Sequence, residues 1–584
     1  MKTLVLTLLT TMVCAAFAHA QPQPPGPTGA STRDNRQAPA QAGSAIVRGR
    51  VLAADTGRPL RRARITLSAP ELGRDGRTTS TDLDGTYEIT DLPAGRYILR
   101  VVRSGYLGLQ YGQRRPLEQG KPLQVADKEV AEHIDFTLPH TSVIRGQIGD
   151  ELNEPVAGVN VIAMRQTYWQ GRRRIVPVGA PTQTDDGGEY RLTNLSPGTY
   201  FVMAQLRDTW TVRANGATQT MGYAPTYFPG TANIIDARRV TVGVGQVAAG
   251  ADFSLIPGRA ANLSGTAVDS VGRPLSNRPV MVVQPLIGPG FGMVMAGGSA
   301  TTDADGSFTI ANVPPGQYKL QAQTTRQTLT VQGTVLEVAT MPIKVDGNDA
   351  TNLALRTTMG WMASGRVATE NGTPPDAPRD RFGLVARLVD TDQSPFGGAP
   401  PPPPPPGGSG VIVDSGRMKE DWTFTVAPIF GAARLRVSLP DGWGMKTILQ
   451  DGRDISDAVV EAQSGEELSG VQVIVTDRVT SVAGQVLDGK GAALTDGTVL
   501  VFADDPEKWS DDSRWVRAVR TDGQGRYEIK GLPPGEYRAV ALEYAEDGIW
   551  NDPDYLGAIR QDARNVTLRE GNALTLSLTL AKLP

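Results

Sequence analysis

Hydrophobic and polar residues alternate at period two along much of this chain. One alternating segment contains Tyr87 and Ile89, and a second, with Tyr97, Leu99 and Val101, follows a short stretch containing Pro and Gly. Such alternation is typical of β-strands that bury one face. The chain also holds 66 glycines and 43 prolines among 584 residues, which favours many turns. The pattern therefore predicts short, half-buried strands rather than long helices.

The two alternating segments belong to a motif that recurs four times. The copies run from Thr81 to Tyr97, Thr184 to Tyr200, Thr302 to Tyr318 and Thr521 to Tyr537. Each begins with Thr-Asp, continues through a Gly to an aromatic residue, and ends in Pro-x-Gly-x-Tyr or Pro-Gly-x-Tyr, with the two aromatics ten positions apart. Asp and Gly suit tight turns, because Asp accepts backbone hydrogen bonds and Gly tolerates positive φ. We therefore predict a fixed hairpin in each copy, with the final tyrosines buried and the Asp-Gly segments serving as turns rather than calcium loops.

An opening strand with a central glycine precedes each copy. These glycines are Gly49, Gly146, Gly265 and Gly484. A fifth, Gly365, begins a degenerate copy in which Trp422 to Val426 and Leu435 to Val437 repeat the hairpin without the Asp-Gly and Pro-Gly turns. The sequence thus predicts an all-β protein, a tandem array of about five seven-stranded, Ig-like β-sandwiches without helices. The predicted repeat units span residues 44–140, 141–257, 258–357, 358–478 and 479–584, the fourth carrying a Pro-rich loop at 397–410.

The first residues have the features of a secretory signal. Residues 1–20 combine Lys2 with a short apolar run and end in Ala18-His19-Ala20, which predicts cleavage after Ala20. Residues 21–43 are rich in Pro, Gln and Ala and are predicted to be a disordered linker. We therefore expect export to the periplasm, the cell surface or the medium, and no membrane span in the mature chain. Cys14, the single cysteine, lies in the predicted signal, so no disulfide is expected in the mature protein.

The balance of basic and acidic residues argues against nucleic acid as a partner. The chain has 58 Lys and Arg against 61 Asp and Glu, and no run of basic residues supplies the positive face that phosphate binding would need, so nucleic acid is not expected to bind.

The opening glycine, the Asp-x-x-Gly-x-Tyr turn and the Leu-Pro-x-Gly-x-Tyr strand together resemble carboxypeptidase regulatory-like domains. The resemblance covers nearly all of residues 44–584 and implies a transthyretin-like sandwich. In metallocarboxypeptidases this domain accompanies a zinc catalytic domain, and the resemblance here reaches only the accessory part. It therefore implies no activity.

Candidate chemistry is sparse. A zinc peptidase site needs two histidines and a carboxylate at one open position, whereas His133 and His140 lie outside any zinc-binding motif. We predict no catalytic residue, no cofactor and no metal.

Aromatic residues of the last unit offer the one hint of recognition. Trp509, Trp515, Trp550 and Tyr555 lie in segments rich in Asp and Asn, which we interpret as loops. Exposed rings there would stack on sugars, whereas buried rings would anchor the loops onto the core. The sequence therefore leaves three functions open: a binding or scaffold protein with an envelope-protein partner, a surface protein binding extracellular polysaccharide, or an accessory subunit of an extracellular hydrolase.

Overall fold

The computed structural model describes residues 43–69, 72, 76–113, 120–169, 172–214, 216–288, 291–327, 334–389, 414–510 and 512–581. The predicted signal at 1–20, nearly all of the linker at 21–43 and the Pro-rich loop at 397–410 lie outside these residues. Within them, no helix combines the length and the apolar character that crossing a bilayer requires.

The first repeat unit is built from two sheets. Its strands are β1 (Ala45–Ala53), β2 (Arg64–Ser68), β3 (Arg77–Ser80), β4 (Thr86–Leu92), β5 (Gly95–Val102), β6 (Leu109–Gln110), β7 (Leu123–Val125), β8 (Val130–Ala131) and β9 (Phe136–Leu138). One sheet has the order β4-β1-β8 with β9 also on β1, and the other has the order β3-β2-β5-β6 with β7 on β5.

The second unit repeats this plan and adds a third sheet. Its strands are β10 (Ser142–Gly149), β11 (Asn160–Trp169), β12 (Arg172–Gln183), β13 (Glu189–Leu195), β14 (Gly198–Gln205), β15 (Thr209–Ala214), β16 (Ala217–Ala224), β17 (Thr226–Tyr227), β18 (Val240–Val242), β19 (Val247–Ala248), β20 (Phe253–Ser254) and β21 (Ile256–Arg259). The added sheet has the order β15-β16-β21, so the boundary expected after residue 257 falls inside a paired strand.

The third and fourth units each have eight strands among the described residues. Those of the third are β22 (Ala261–Val268), β23 (Pro279–Gly288), β24 (Phe291–Thr301), β25 (Ser307–Val313), β26 (Gly316–Gln327), β27 (Thr334–Val345), β28 (Ala350–Arg356) and β29 (Thr358–Met359). Those of the fourth are β30 (Trp361–Thr369), β31 (Gly383–Leu388), β32 (Asp414–Ser415), β33 (Thr423–Ile429), β34 (Ala433–Ser438), β35 (Gly444–Gln450), β36 (Arg453–Asp454) and β37 (Glu467–Thr476). Strand β29 pairs with β27, so the third unit holds the start of the link to the fourth.

The fifth unit combines strands with the single α-helix of the described residues. Its strands are β38 (Ser481–Leu487), β39 (Thr498–Ala503), β40 (Val516–Arg520), β41 (Arg526–Lys530), β42 (Gly535–Leu542), β43 (Arg564–Leu568), β44 (Ala573–Thr575) and β45 (Leu578–Thr579), and the helix is α1 (Pro553–Ile559). Short 3-10 helices occur at Ile234–Asp236, Arg379–Arg381, Pro506–Lys508, Ile549–Asn551 and Arg560–Asp562.

The all-β prediction is confirmed, but the expectation of units without helix is wrong for the fifth. Asp552 caps α1 by accepting a hydrogen bond from the Asp554 backbone N–H, and Pro553 occupies the first turn. Asp followed by Pro is a helix-start signal, because Pro presets the helical φ and needs no hydrogen-bond acceptor there. Each predicted range also contains one large hydrophobic core, and the division into five domains stays a prediction.

The opening glycine has the same partner in every unit. It lies directly across from the first aromatic of the motif, in the pairs Gly49 with Tyr87, Gly146 with Tyr190, Gly265 with Phe308, Gly365 with Phe424 and Gly484 with Tyr527. The degenerate fourth copy therefore keeps the register of the others.

In every unit the opening strand also pairs in parallel with a closing strand, which is β28 in the third unit, β37 in the fourth and an interrupted pair of short strands in the others (β8 and β9, β19 and β20, β44 and β45). The close approach of this strand explains why the opening position is glycine. A Cβ atom on Gly49 would overlap the backbone carbonyl of Ile134, and the other four opening glycines meet a closing-strand carbonyl in the same way. In the first unit, the Tyr87 hydroxyl donates a hydrogen bond of 2.7 Å to this Ile134 carbonyl. The same bond joins Tyr527 to the Leu576 carbonyl in the fifth unit. The missing side chain of the glycine thus lets the carbonyl approach, and the tyrosine hydroxyl then donates a hydrogen bond to this carbonyl.

The predicted hairpin is wrong. Strand β4 pairs with β1 and strand β5 pairs with β2, so the two aromatics of each motif project from opposite sheets into a shared core. Period-two alternation shows that one face of a strand is buried but does not identify the neighbouring strand. The segment from Leu92 to Gly95 is consequently a corner between sheets.

The final tyrosines of the motif close these corners. Tyr97, Tyr200, Tyr318 and Tyr537 are at most 3% exposed, which confirms the prediction of burial. The Tyr537 hydroxyl donates to the Pro533 carbonyl at 2.6 Å, and Tyr200 and Tyr97 bond to the carbonyl at the equivalent position. This is the arrangement of a tyrosine corner.

The Asp-x-x-Gly segments form turns, as predicted. In the first unit, Asp82 Oδ1 accepts hydrogen bonds from the backbone N–H groups of Asp84 (3.0 Å) and Thr86 (2.8 Å), and Gly85 has a φ of 73°. The hydrogen bond from the Thr86 hydroxyl contributes most to lowering the pKa of Asp82. The Asp82 carboxylate thus accepts its hydrogen bonds from residues of its own turn.

Candidate functional site

The fifth unit has a second hydrophobic core on the outer face of its β39–β42 sheet. Leu500, Phe502, Val540 and Leu542 project from this face and are covered by residues of the segments that follow β39 and β42. Strand β39 is buried at all six positions, because one face contacts the main core and the other contacts this second core. This outer core determines where the predicted aromatic residues lie.

Trp509 is part of the second core. Its side chain is 6% exposed and contacts Phe502 edge to face, with ring centroids 5.7 Å apart. The indole N–H donates a 2.7 Å hydrogen bond to the Ala503 carbonyl. Trp509 therefore offers no face for stacking on a sugar, and the anchor interpretation describes it.

Trp515 is half-buried where the fifth unit contacts the fourth. Its indole N–H donates a 3.0 Å hydrogen bond to Asp457 Oδ2 of the fourth unit. Lys508 Nζ lies 4.2 Å from the ring centroid, and the Tyr537 ring stacks on Trp515 at 6.2 Å. Arg514 also contacts Asp457, with Nη2 3.0 Å from Oδ2. Trp515 thus joins two units.

Trp550 and Tyr555 are half-buried beside the second core. They lie on the 3-10 helix Ile549–Asn551 and on α1, so the predicted loop is largely helical. Burial raises the pKa of Tyr555. Both rings keep part of their surface exposed to solvent, and they stay candidates for ligand contact.

A hairpin of the second unit reaches the same region. The Tyr168 hydroxyl donates to Asp552 Oδ2 at 2.5 Å, and Arg173 Nη2 lies 2.6 Å from the same oxygen. Burial alone would raise the pKa of Asp552, but hydrogen bonds from Tyr168, the Asp554 backbone and Arg173 lower it below its ordinary value. The carboxylate of Asp552 therefore caps α1 and also binds two side chains of the second unit.

The first unit contacts the fifth through another carboxylate. Lys121 forms an ion pair with Asp496, and Arg520 Nη2 lies 3.3 Å from the same side chain. Asp496 is 13% exposed and Lys121 is 22% exposed. The contact is therefore largely withdrawn from solvent.

The four predicted residues occupy three environments rather than one surface: Trp509 the second core, Trp515 the contact with the fourth unit, and Trp550 and Tyr555 the region near the second-unit hairpin. Sequence reasoning missed the acidic residues that join the units: Asp457, Asp496 and Asp552. Their partners lie up to 384 positions away, so only the start signal of α1 marks one of them. The uninterrupted apolar run of β39 was a readable sign that both faces of this sheet are covered.

His140 contacts an aromatic ring and a carboxylate, and His133 is exposed. The His140 ring stacks on Tyr106 with centroids 4.2 Å apart, and its Nε2 lies 3.5 Å from Asp55. Across the part of the chain that the structure describes, no three His, Cys, Asp or Glu side chains are grouped as metal ligands.

The profile of the carboxypeptidase regulatory-like domain matches residues 46–139, 262–355 and 481–581. No curated protein sequence matches the chain.

Three solved structures illustrate the structural likenesses. A streptococcal ancillary pilin is 13% identical, with 54% of this chain and 99% of that chain covered and a TM-score of 0.19. A minor pilin of Streptococcus agalactiae is 14% identical, with 36% and 95% covered and a TM-score of 0.21. A proposed carbohydrate-binding protein of Pseudomonas aeruginosa is 17% identical, with 17% and 88% covered and a TM-score of 0.14. At these scores the likenesses carry no argument about function.

Proposed function

This chain is a repeat protein of the carboxypeptidase regulatory-like family, and from that premise we propose that it is an exported, non-enzymatic scaffold whose last unit holds the first, second and fourth units in a fixed arrangement. The family domain accompanies a catalytic domain in metallocarboxypeptidases and is not itself the catalytic part, which supports a role without catalysis. Export rests on the signal features of residues 1–20.

The contacts of the fifth unit carry this proposal. Asp496 and Asp552 of the fifth unit receive side chains from the first and second units, and Arg514 engages Asp457 of the fourth. Asp552 and Arg514 are only 11% and 13% exposed, so separating the units would leave their charges partly buried without partners or expose them at the loss of several bonds.

A second network strengthens the contact between the fourth and fifth units. Lys446 and Arg478 each lie between Glu370 and Glu570, and the distances from Arg478 Nη2 to the two carboxylates are 2.8 and 2.9 Å. Networks of several charges are more effective than isolated surface pairs. The fourth and fifth units are therefore expected to move as one body.

Small-angle X-ray scattering of the purified full chain tests the arrangement. Five units of about 110 residues placed end to end would span roughly 170 Å, since each has a radius of gyration of about 13 Å. The contacts of the fifth unit predict a clearly shorter folded portion. The double variant Asp457→Ala and Asp552→Ala should lengthen it, whereas Asp186→Ala, which removes an exposed carboxylate from a turn, should not. An end-to-end length in the unmodified chain would contradict the proposal.

Carbohydrate binding is the second candidate function, with extracellular polysaccharide in place of an envelope-protein partner. It is supported by the half-exposed rings of Trp550 and Tyr555 and not by Trp509 or Trp515, whose surroundings are described above. An accessory role beside an extracellular hydrolase would use the same surfaces.

Export has its own test. Sequencing the N-terminus of protein recovered outside the cytoplasm should give Gln21 as the first residue. An intact Met1, or protein confined to the cytoplasm, would contradict export without affecting the scaffold proposal.

A further inference from the structure

A cavity of about 780 Å³ lies where the first, second and fifth units meet. The first unit contributes the short β6 region with Gln110 and Tyr111 and part of β9, the fifth contributes Thr495 and Asp496, and the second contributes Val244. Ligand sites commonly have this size and are frequent at domain interfaces. The cavity forms because the fifth unit packs against the first unit.

The charges around the cavity balance. Lys121 and Asp496 form a pair in its wall, Arg520 lies beside Asp496, and Asp135 supplies a second carboxylate. Among the described residues, these two positive and two negative side chains balance one another. Strong binding of phosphate or of a polyanion would require a positive excess, so the cavity favours a neutral ligand.

The remaining wall combines apolar and hydrogen-bonding groups. Leu109, Phe136 and the half-buried Tyr111 supply apolar surface, Thr495 supplies a hydroxyl group, and Gln110 supplies an amide whose Oε1 accepts a hydrogen bond from the Gly120 backbone N–H. A sugar ring presents an apolar face with hydroxyl groups around its edge, which matches such a wall. The volume accommodates several rings.

We propose that this cavity binds a neutral oligosaccharide segment. The inference rests on the closed arrangement proposed above and deepens the carbohydrate-binding candidate, because it assigns the ligand to the junction of three units rather than to the tryptophans of the last unit.

Isothermal titration of the full chain tests this with maltohexaose, cellohexaose and xylohexaose as neutral probes, and with hexagalacturonate and hexaglycine as charged and peptide probes. At least one neutral probe should bind. Tyr111→Ala should weaken its binding by about tenfold or more, through loss of the aromatic contact. Because Tyr111 also packs against the first core, a second variant is needed.

Val244→Trp is that second variant. Val244 lines the cavity and is 61% exposed, so a larger side chain there fills the cavity without disturbing a core. Val247→Trp is the matched control, since Val247 lies in the same segment, is 49% exposed and does not line the cavity. Val244→Trp should weaken binding by about tenfold or more, and Val247→Trp should change it by less than about twofold.

Each other result overturns the inference in a recognisable way. Binding lost in Trp550→Ala but kept in Val244→Trp would move the site to the last unit. Binding of hexaglycine or hexagalacturonate alone would reject the ligand class. Absence of any binding, together with a short folded portion by scattering, would reject the site while leaving the scaffold in place.

Discussion

The first and fifth units share one inner core and differ on the outer face of the second sheet. In the first unit, β2 alternates between buried and exposed positions, whereas the equivalent β39 is buried throughout. Arg100 on β5 is exposed, and its counterpart Val540 on β42 is 2% exposed. The motif thus specifies the inner face, and the outer face varies independently. The tryptophans of the last unit follow from this variation, because an apolar outer face requires a cover.

The largest loss of stability is expected when the apolar outer face of the fifth unit receives the charged residue found in the first unit. Val540→Arg places a charge in the second core beside Phe502 and Leu556, and we expect it to lower the free energy of unfolding of this unit by about 3 to 5 kcal/mol, as for other unpaired buried charges. Hydrogen-exchange mass spectrometry, which resolves the units, should show lost protection in β39 and β42. Trp509→Ala should give a loss in the same range by opening a cavity.

Protection unchanged in Val540→Arg would mean that the outer cover is dispensable. The first unit, with its inner core intact, should keep its protection in both variants and serves as the internal control.

Substitution of the opening glycine tests the inner core, which the first and fifth units share. Gly49→Ala and Gly484→Ala each drive a Cβ atom into the carbonyl of the closing strand. We expect similar losses in both units, about 3 kcal/mol each, at the upper end of overpacking effects. Gly523→Ala is a suitable control, because nothing lies near a Cβ atom built there. Clearly unequal losses, measured by hydrogen exchange, would show that the inner frames are not equivalent.

A smaller effect should follow from removing the tyrosine hydroxyl that meets this carbonyl. Tyr87→Phe and Tyr527→Phe each leave a buried carbonyl without its 2.7 Å hydrogen bond, which should cost about 1 to 2 kcal/mol. Burial raises the pKa of Tyr527 to about 12. The stability that depends on the neutral hydroxyl should therefore be complete below pH 10 and be lost as the pH rises from 10 towards 12.

The Phe variants have natural counterparts in this chain, since Phe308 and Phe424 stand at the same position. In those units the closing strands β28 and β37 run on without the break that separates β8 from β9. A Phe variant of the first unit that loses no stability in chemical denaturation would show that the fold does not depend on the hydrogen bond from the tyrosine hydroxyl to this carbonyl.

The sequence allowed us to predict features that recur in several units, but few of the features that occur in only one unit. The glycine and aromatic positions were readable because several copies repeat them at fixed spacing. The pairing of β4 with β1 was not, because alternation reports burial and leaves the neighbouring strand open. The bond between Tyr168 and Asp552 left no local signal, since charged residues look alike whether they face solvent or another unit. Trp509 is buried although its neighbours in sequence are polar, so the sequence could not decide between a sugar-stacking ring and a core anchor.

The smallest effect is expected from giving the first unit one side chain of the fifth. Arg100→Val places the residue found at 540 on the exposed outer face of β5, where no second core covers it in the described residues. Substitutions at such surface positions usually change stability by no more than about 0.5 kcal/mol. Protection of β5 and β2 in hydrogen exchange should therefore equal that of the unmodified chain, in contrast to the loss expected from Val540→Arg. The reciprocal pair isolates the cover as the cause, because both changes exchange the same two residue types at equivalent positions. A loss in Arg100→Val as large as that in Val540→Arg would show that the outer face of the first unit also depends on its side chains, and the proposed independence of the two faces would then fail.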